Sequence, residues 1–249
     1  MDYKVTINGI PLDAHYSEHA VDEIFVPLLK KLTELQMMKQ RRILMLLAAP
    51  PGAGKSTLLS FLEKISLERE ELMPVQVIGM DGFHRYQEYL LNHFVNRDGR
   101  DIPMVKIKGA PVTFDLEKLK ARIADVAGGK ICGWPVYDRL LHNPVEDAVM
   151  IEKDIVILEG NYLLLDEDGW KDISDYADFS VFVCAEEDEL RKRLIERRIK
   201  TGVEEKASAQ FVDFSDMPNV RLCLEHSKKA DLTLGIDRDG DYYIIEEAT

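Results

Sequence analysis

Along most of the chain, short continuous apolar runs alternate with stretches whose apolar residues recur every three or four positions. The runs are "RRILMLLAA" from Arg41, "VQVIGM" from Val75, "DIVILEG" from Asp154, "FSVFVCA" from Phe179 and "ADLTLGI" from Ala230. Between them lie "GKSTLLSFLEKISLERE", "DLEKLKARIADVAG" and "DELRKRLIERRIK", each with helical spacing. A strand that is apolar at consecutive positions is covered on both faces, so this order predicts a parallel sheet between two layers of helices. The class is α/β, and 249 residues with 46% hydrophobic content suffice for one such domain with insertions.

The two ends and one internal stretch break the pattern. "YKVTING" alternates like a strand, and "SEHAVDEIFVPLLKKLTELQMMKQ" has helical spacing with Ser17 placed as a cap. Residues 1–40 are therefore expected to form a strand-helix extension packed on a domain that occupies 41–249. The apolar stripe of that helix also leaves a homodimer open. Residues 82–111 are rich in His, Arg, Asn and Gly and too long for an ordinary connection, and insertions of that size usually cover or form a site. The tail "DRDGDYYIIEEAT" reads as a strand pair around an Asp-Gly turn. Its Asp237, Asp239 and Asp241 have the alternate spacing of a calcium loop, but the glycine and terminal glutamate of such a loop are misplaced.

Charge narrows the partners. A formal charge of -13 argues against nucleic acid or an anionic membrane as the main partner, because those surfaces reward a basic footprint. The run "ILMLLAA" is far short of the roughly 20 residues that span a bilayer, and acidic Asp2 stands where a basic leader would begin. A soluble cytoplasmic protein is expected. Cys132, Cys184 and Cys223 are odd in number and widely spaced, which fits reduced structural thiols and neither a disulfide framework nor a zinc site.

The strongest chemical signal is "APPGAGKST", Ala49 to Thr57. It matches the phosphate-binding loop pattern with alanine in place of the first glycine. Gly52, Ala53 and Gly54 let the backbone turn tightly and aim N–H groups at phosphate oxygens, and the helix that follows adds the positive end of its dipole. Lys55 is expected to reach the β and γ phosphates, Ser56 to bind magnesium and Thr57 to meet the α phosphate. Phosphoryl chemistry next requires carboxylates at the carboxyl ends of neighbouring strands, where α/β sheets hold their ligands. Asp81 in "VQVIGMDGFH" and Glu159 in "DIVILEGNY" are the two candidates. Either could activate an acceptor hydroxyl or organise magnesium; the polar exit after Asp81 favours it as the base and Glu159 as the magnesium residue. The guanine-reading Asn-Lys-x-Asp of GTPases and the Ser-Gly-Gly signature of transport ATPases are both missing.

"DELRKRLIERRIKTG" places Arg191 and Arg198 seven apart and Arg193 and Arg197 four apart, so each pair shares a helical face. The residues alone leave two readings: a lid that brings arginines to the transferring phosphoryl group, or an exposed helix whose charges pair with its own acids.

Together, "PPGAGKST", "GMDGFHRY", "KGAPVTFD", "PVYDRLLHNP", "ILEGNYLLLDEDGW" and "DMPN" resemble the uridine kinase, phosphoribulokinase and pantothenate kinase superfamily of P-loop kinases, closest to the bacterial fructose kinase-like branch. The likeness runs from Arg41 to Ile236. It implies a three-layer sandwich with a five-stranded, mainly parallel sheet, and ATP and magnesium as cofactors. It also implies transfer of the γ-phosphoryl group to a hydroxyl of a small metabolite such as a sugar, nucleoside or pantothenate-like alcohol. By the same resemblance Asp81 is the base, and Tyr137, Asp138 and His142 belong to the element that lines the acceptor pocket. His84 and Lys108 are further substrate contacts, and Arg193 and Arg197 act from a lid around residues 186–205. "SDMPN" is read as a loop in which Pro218 fixes a turn and Asn219 reaches the nucleotide. Arg139 stands where uridine kinases carry phenylalanine, which disfavours a nucleoside and favours a polyol, sugar or phosphorylated acceptor. A catalytically reduced relative that changes partner affinity with ATP is the alternative.

Overall fold

A computed structural model describes residues 1–7, 10–97 and 99–247; Asn8, Gly9, Asp98, Ala248 and Thr249 lie outside the described residues, and with them the end of the first expected strand, one position of the insertion and the last two of the tail. The strands are β1 (Asp2–Ile7), β2 (Ile10–His15), β3 (Ile43–Ala48), β4 (Val75–Gly79), β5 (Phe94–Arg97), β6 (Arg100–Pro103), β7 (Gly133–Asp138), β8 (Asn143–Met150), β9 (Ile155–Gly160), β10 (Phe179–Ala185), β11 (Leu232–Ile236) and β12 (Tyr242–Glu247). The helices are α1 (Val26–Lys39), α2 (Lys55–Glu68), α3 (Gln87–Asn92), α4 (Leu116–Ala127), α5 (Glu187–Lys200), α6 (Glu205–Phe211) and α7 (Met217–His226).

The central sheet has the order β12-β11-β10-β3-β9-β4. Five strands, β11 to β4, run parallel as the apolar runs predict, and the tail adds β12 antiparallel to β11, which makes six. The turn between β11 and β12 uses the Asp237 carboxylate: its Oδ1 accepts from the N–H groups of Asp239 and Asp241, each at 2.9 Å. That carboxylate is spent on the turn. β3 shows why the runs are unbroken. Ile43, Met45 and Leu47 enter the core with α1 and α2, while Leu44, Leu46 and Ala48 enter the core on the opposite face with α4. Burial of each leucine-sized side chain stabilises the fold by about 1.5–3 kcal/mol.

The N-terminal segment holds one strand more than expected, since β2 pairs with β1 as a hairpin. β2 contains Pro11, tolerated because a two-stranded ribbon consists of edges only. The segment lies on α2: Tyr16 stacks on Phe61 with ring centroids 4.3 Å apart, and the Tyr3 hydroxyl meets Ser60 Oγ at 2.7 Å. Ser17 Oγ accepts from the Ala20 N–H at 2.9 Å, the geometry of a helix cap. Ser17→Ala is expected to lower unfolding free energy by about 1 kcal/mol, read as a fall in the denaturant midpoint at unchanged slope.

The sheet register decides where the chemistry gathers. Leu47 of β3 and Gly79 of β4 both lie level with Glu159 of β9. The phosphate loop, Glu159 and Asp81, two residues past Gly79, therefore emerge at the same carboxyl edge.

Candidate active site

The loop from Pro50 to Gly54 takes its shape from two left-handed glycines, Gly52 at φ +89° and Gly54 at φ +80°, a conformation that costs a residue with Cβ about 1–2 kcal/mol. Gly52 has a second reason to be glycine. A Cβ there would lie 3.1 Å from both the Leu190 carbonyl oxygen and Leu194 Cγ, so α5 rests directly against the loop.

Behind the loop, Lys55 Nζ donates to Asn161 Oδ1 at 2.6 Å and to the Pro50 carbonyl at 3.3 Å. Ser56 Oγ donates to Glu159 Oε1 at 2.7 Å. Burial pushes the Lys55 ammonium below its ordinary pKa, opposed by the charges of Glu159 and Asp81. Burial pushes Glu159 up, opposed by Lys55. Asn161 is absent from the sequence expectations. The available signal was its position two residues beyond Glu159, at the edge where ligands bind.

Asp81 sits in a tight turn, Met80–Phe83, and is exposed. The turn is clamped by β7: Trp134 Nε1 donates to the Gly79 carbonyl at 2.9 Å, and the Trp134 and Phe83 rings meet edge to face at 4.8 Å. From there the Asp81 charge acts on Lys55, His84, Lys108, Tyr137, Glu159, Tyr162 and Arg197. It is the carboxylate shared by the phosphate side and the opposite wall.

That wall holds most of the residues expected at the acceptor. His84 is buried, stacked on Phe114 at 4.0 Å and edge-on to Tyr137 at 5.4 Å, and among the described residues its Nδ1 has no hydrogen-bond partner. Lys108 Nζ donates to Tyr137 Oη, to Gln87 Oε1 at 3.3 Å and to the His142 carbonyl at 3.3 Å. His142 thus contributes its backbone; it occupies a left-handed turn, φ +53°, between β7 and β8, and its ring is exposed. Arg139 stands in the same turn, exposed, and its charge acts on both Tyr137 and Arg197. The adjacent Gly109 carbonyl accepts from Tyr162 Oη at 2.5 Å, tying the Lys108 loop to the segment after β9.

The four arginines of α5 have four different surroundings. Arg191 makes a bidentate pair with Asp213, at 2.6 and 2.9 Å. Arg193 lies by the β11–β12 turn, its Nη2 3.8 Å from where a Gly240 Cβ would be. Arg198 covers the Phe211 ring at 3.8 Å. Arg197 faces the site: burial lowers its pKa, Asp216 and Asp81 oppose that, and Arg139 adds to it. The pair expected to act together, Arg193 and Arg197, is therefore divided between the tail turn and the site. The helix is not a free lid along its whole length either, because Leu190 and Leu194 are fully buried. "SDMPN" is helix and not a loop: a wide helical turn, Val212–Asp216, carries α6 on into α7, and Pro218 stands in the first turn of α7. Asn219 is buried, and its Nδ2 donates to the Ser215 carbonyl at 2.9 Å. Cys223 donates to the Asn161 carbonyl at 3.2 Å, and burial pushes its thiol up to about 12, which makes it an inert core residue.

A phosphate loop with acids at the ends of the next two strands on one side, β9 and β4, is shared by several kinase lineages, and sequence profiles separate them. The profile described as "Phosphoribulokinase / Uridine kinase family" matches residues 44–237. The chain belongs to this family. It is 39% identical over 244 residues to "Uncharacterized protein YggC" of Escherichia coli (strain K12), covering 98% of this chain and 99% of that one. It is 32% identical over 205 residues to a protein of Schizosaccharomyces pombe provisionally named uridine kinase C227.14, covering 78% and 83%. A solved structure from Silicibacter sp. TM1040, provisionally described as a fructose transport system kinase, superposes with a TM-score of 0.70 at 28% identity, covering 82% of this chain and 98% of that one. This family of P-loop kinases supports a small-molecule kinase with the fold described above. No helix among the described residues is long and apolar enough to cross a membrane.

Proposed function

We propose that the protein transfers the γ-phosphoryl group of ATP to a hydroxyl of a small metabolite, with Asp81 as the base. The observation that carries this reading is the position of Asp81 between the phosphate loop and a wall of hydrogen-bonding side chains on separate elements. In the transfer, the acceptor oxygen bonds to the γ phosphorus while the bond from that phosphorus to the oxygen left on ADP breaks, and the hydroxyl proton passes to Asp81. Glu159 is engaged by Ser56 below the loop and is the less accessible acid. Lys55, held by Asn161, carries the charge that meets the phosphates.

Magnesium fits the Ser56 hydroxyl and Glu159 carboxylate, a hard oxygen pair. Among the described residues no three His, Cys, Asp or Glu side chains converge on a metal position, which suits an ion that takes its remaining ligands from phosphate and water. When bound, magnesium neutralises phosphate charge.

The test is ADP formation from magnesium-ATP with and without a panel of sugars, polyols, nucleosides and pantothenate-like alcohols, with the phosphorylated alcohol identified by mass. ADP release that no alcohol stimulates, together with ATP-dependent association with another macromolecule, would replace this reading by the regulatory alternative. The surroundings of α5 sharpen it further. Arg197→Met is expected to lower kcat roughly 100-fold or more, since an arginine at the transferring group is worth at least that. Arg193→Met is expected to change kcat by less than about tenfold. Equal losses in the two variants would show that the division between the site and the tail turn has no bearing on transfer.

A further inference from the structure

In a chain with an excess of 13 negative charges, Lys55, Lys108, Arg139 and Arg197 gather around Asp81 and Glu159, with Asp216 acting on Arg197 and Asp138 on Tyr137. Salt bridges are frequent elsewhere on the surface, yet among the described residues Lys108, Arg139 and Arg197 form none. Lys55 and Arg197 have work on the nucleotide side. Lys108 has none there: it projects from the insertion into the angle between α3, β7 and the β7–β8 turn.

Its partners are all neutral oxygens: Gln87 Oε1, Tyr137 Oη and the His142 carbonyl. Its Nζ also lies 4.3 Å from the centre of the Tyr137 ring. A half-buried ammonium held by neutral groups is solvated but not neutralised. Burial lowers its pKa to about 8, with Asp81 opposing. A neutral polyol would find enough donors and acceptors in Tyr137 and Gln87 and would gain little from a charge kept there at a desolvation cost. An anion would gain a charge-assisted hydrogen bond and relieve that cost. Arg139, in the β7–β8 turn, places a further positive charge on the Tyr137 that Lys108 holds.

We propose that the acceptor alcohol carries an anionic group, a carboxylate or a phosphate ester, which is seated on Lys108 against Tyr137 and the β7–β8 turn. This rests on the kinase reading for the word acceptor, but the anion seat itself can be tested without turnover.

Calorimetric titration of the protein saturated with magnesium and a non-hydrolysable ATP analogue compares matched probes: glycerol with glycerate and glycerol 3-phosphate, ribose with ribose 5-phosphate, and pantothenyl alcohol with pantothenate. In at least one set the anionic member is expected to bind tenfold or more tightly than its neutral counterpart. In Lys108→Met, at a melting temperature close to that of the parent, the difference is expected to vanish. Lys108→Arg is expected to retain it. The preference is also expected to fall as pH rises through about 8, where Lys108 loses its proton, and to persist in Lys108→Arg, which stays charged. The titratable groups facing Lys108 are Asp81, His84, Tyr137 and His142; burial moves Tyr137 up and His84 down, away from that window. Anionic members that bind no better than neutral ones in every set, including no binding by either, overturn the proposal, as does a preference that survives in Lys108→Met. ADP formation from the same probes, with magnesium-ATP in place of the analogue, separates the two readings. Anion binding at Lys108 without ADP sinks the kinase and leaves the seat, whereas ADP from neutral alcohols alone does the reverse.

Discussion

Asp81→Asn is expected to reduce acceptor-dependent ADP formation about 1,000-fold while the dissociation constant for ATP stays within about threefold. The amide keeps the shape of the carboxylate and removes its basicity, so the loss belongs to proton transfer. Asp81 is exposed and lies outside both hydrophobic cores, so the variant should fold normally. Removing its charge also withdraws support from Lys55, Lys108 and Arg197, all stabilised by Asp81 in their protonated forms. Equilibrium titration for ATP and single-turnover measurement with acceptor separate the two effects. An Asp81→Asn protein that retains more than about a tenth of its activity would move the role of base to Glu159.

Gly82→Ala is expected to destabilise the protein by about 3 kcal/mol and to abolish turnover with it. Gly82 is buried, and a Cβ there would stand 1.9 Å from the Pro135 carbonyl oxygen and 2.4 Å from its carbon. Both are backbone atoms of β7, so no side-chain rotation relieves the overlap. Either the Asp81 turn or β7, which carries Tyr137, has to shift. The denaturant midpoint and kcat of Gly82→Ala test this, with Gly99→Ala as a comparison at an exposed turn where a Cβ meets nothing within 4 Å and only the left-handed φ of +76° costs stability, about 1–2 kcal/mol, with kcat unchanged. Unchanged stability in Gly82→Ala would show that β7 yields at little cost.

The central sheet was legible because burial on both faces writes itself as an unbroken apolar run, as in Ile43–Ala48. The acids at its edge were legible because a strand end beside a phosphate loop is a position with few other uses. What was hidden depends on contacts distant in sequence. Lys55 and Asn161 meet across 106 positions, and no local pattern announces the pair. The steric need for glycine at position 82 exists only because β7 crosses it. The helix of Arg193 and Arg197 was read correctly as a helix, but one face of a helix meets two neighbours along its length, and only the fold distributes them. "SDMPN" misled because proline opens helices as readily as it turns chains. β12 extends a sheet whose apolar runs had accounted for five strands.

The contact of Gly52 with Leu190 and Leu194 sets the mechanics of any closure. With those leucines buried and the phosphate loop lying against them, the first two turns of α5 form a fixed arm. Whatever displacement carries Arg197 toward a nucleotide has to be made beyond Leu194, by the last turn and the segment that follows it. In the proposed transfer the phosphate loop and the arginine would act as the two jaws of one clamp, joined at a fulcrum where the missing methyl group of Gly52 lets Leu190 and Leu194 sit against the loop.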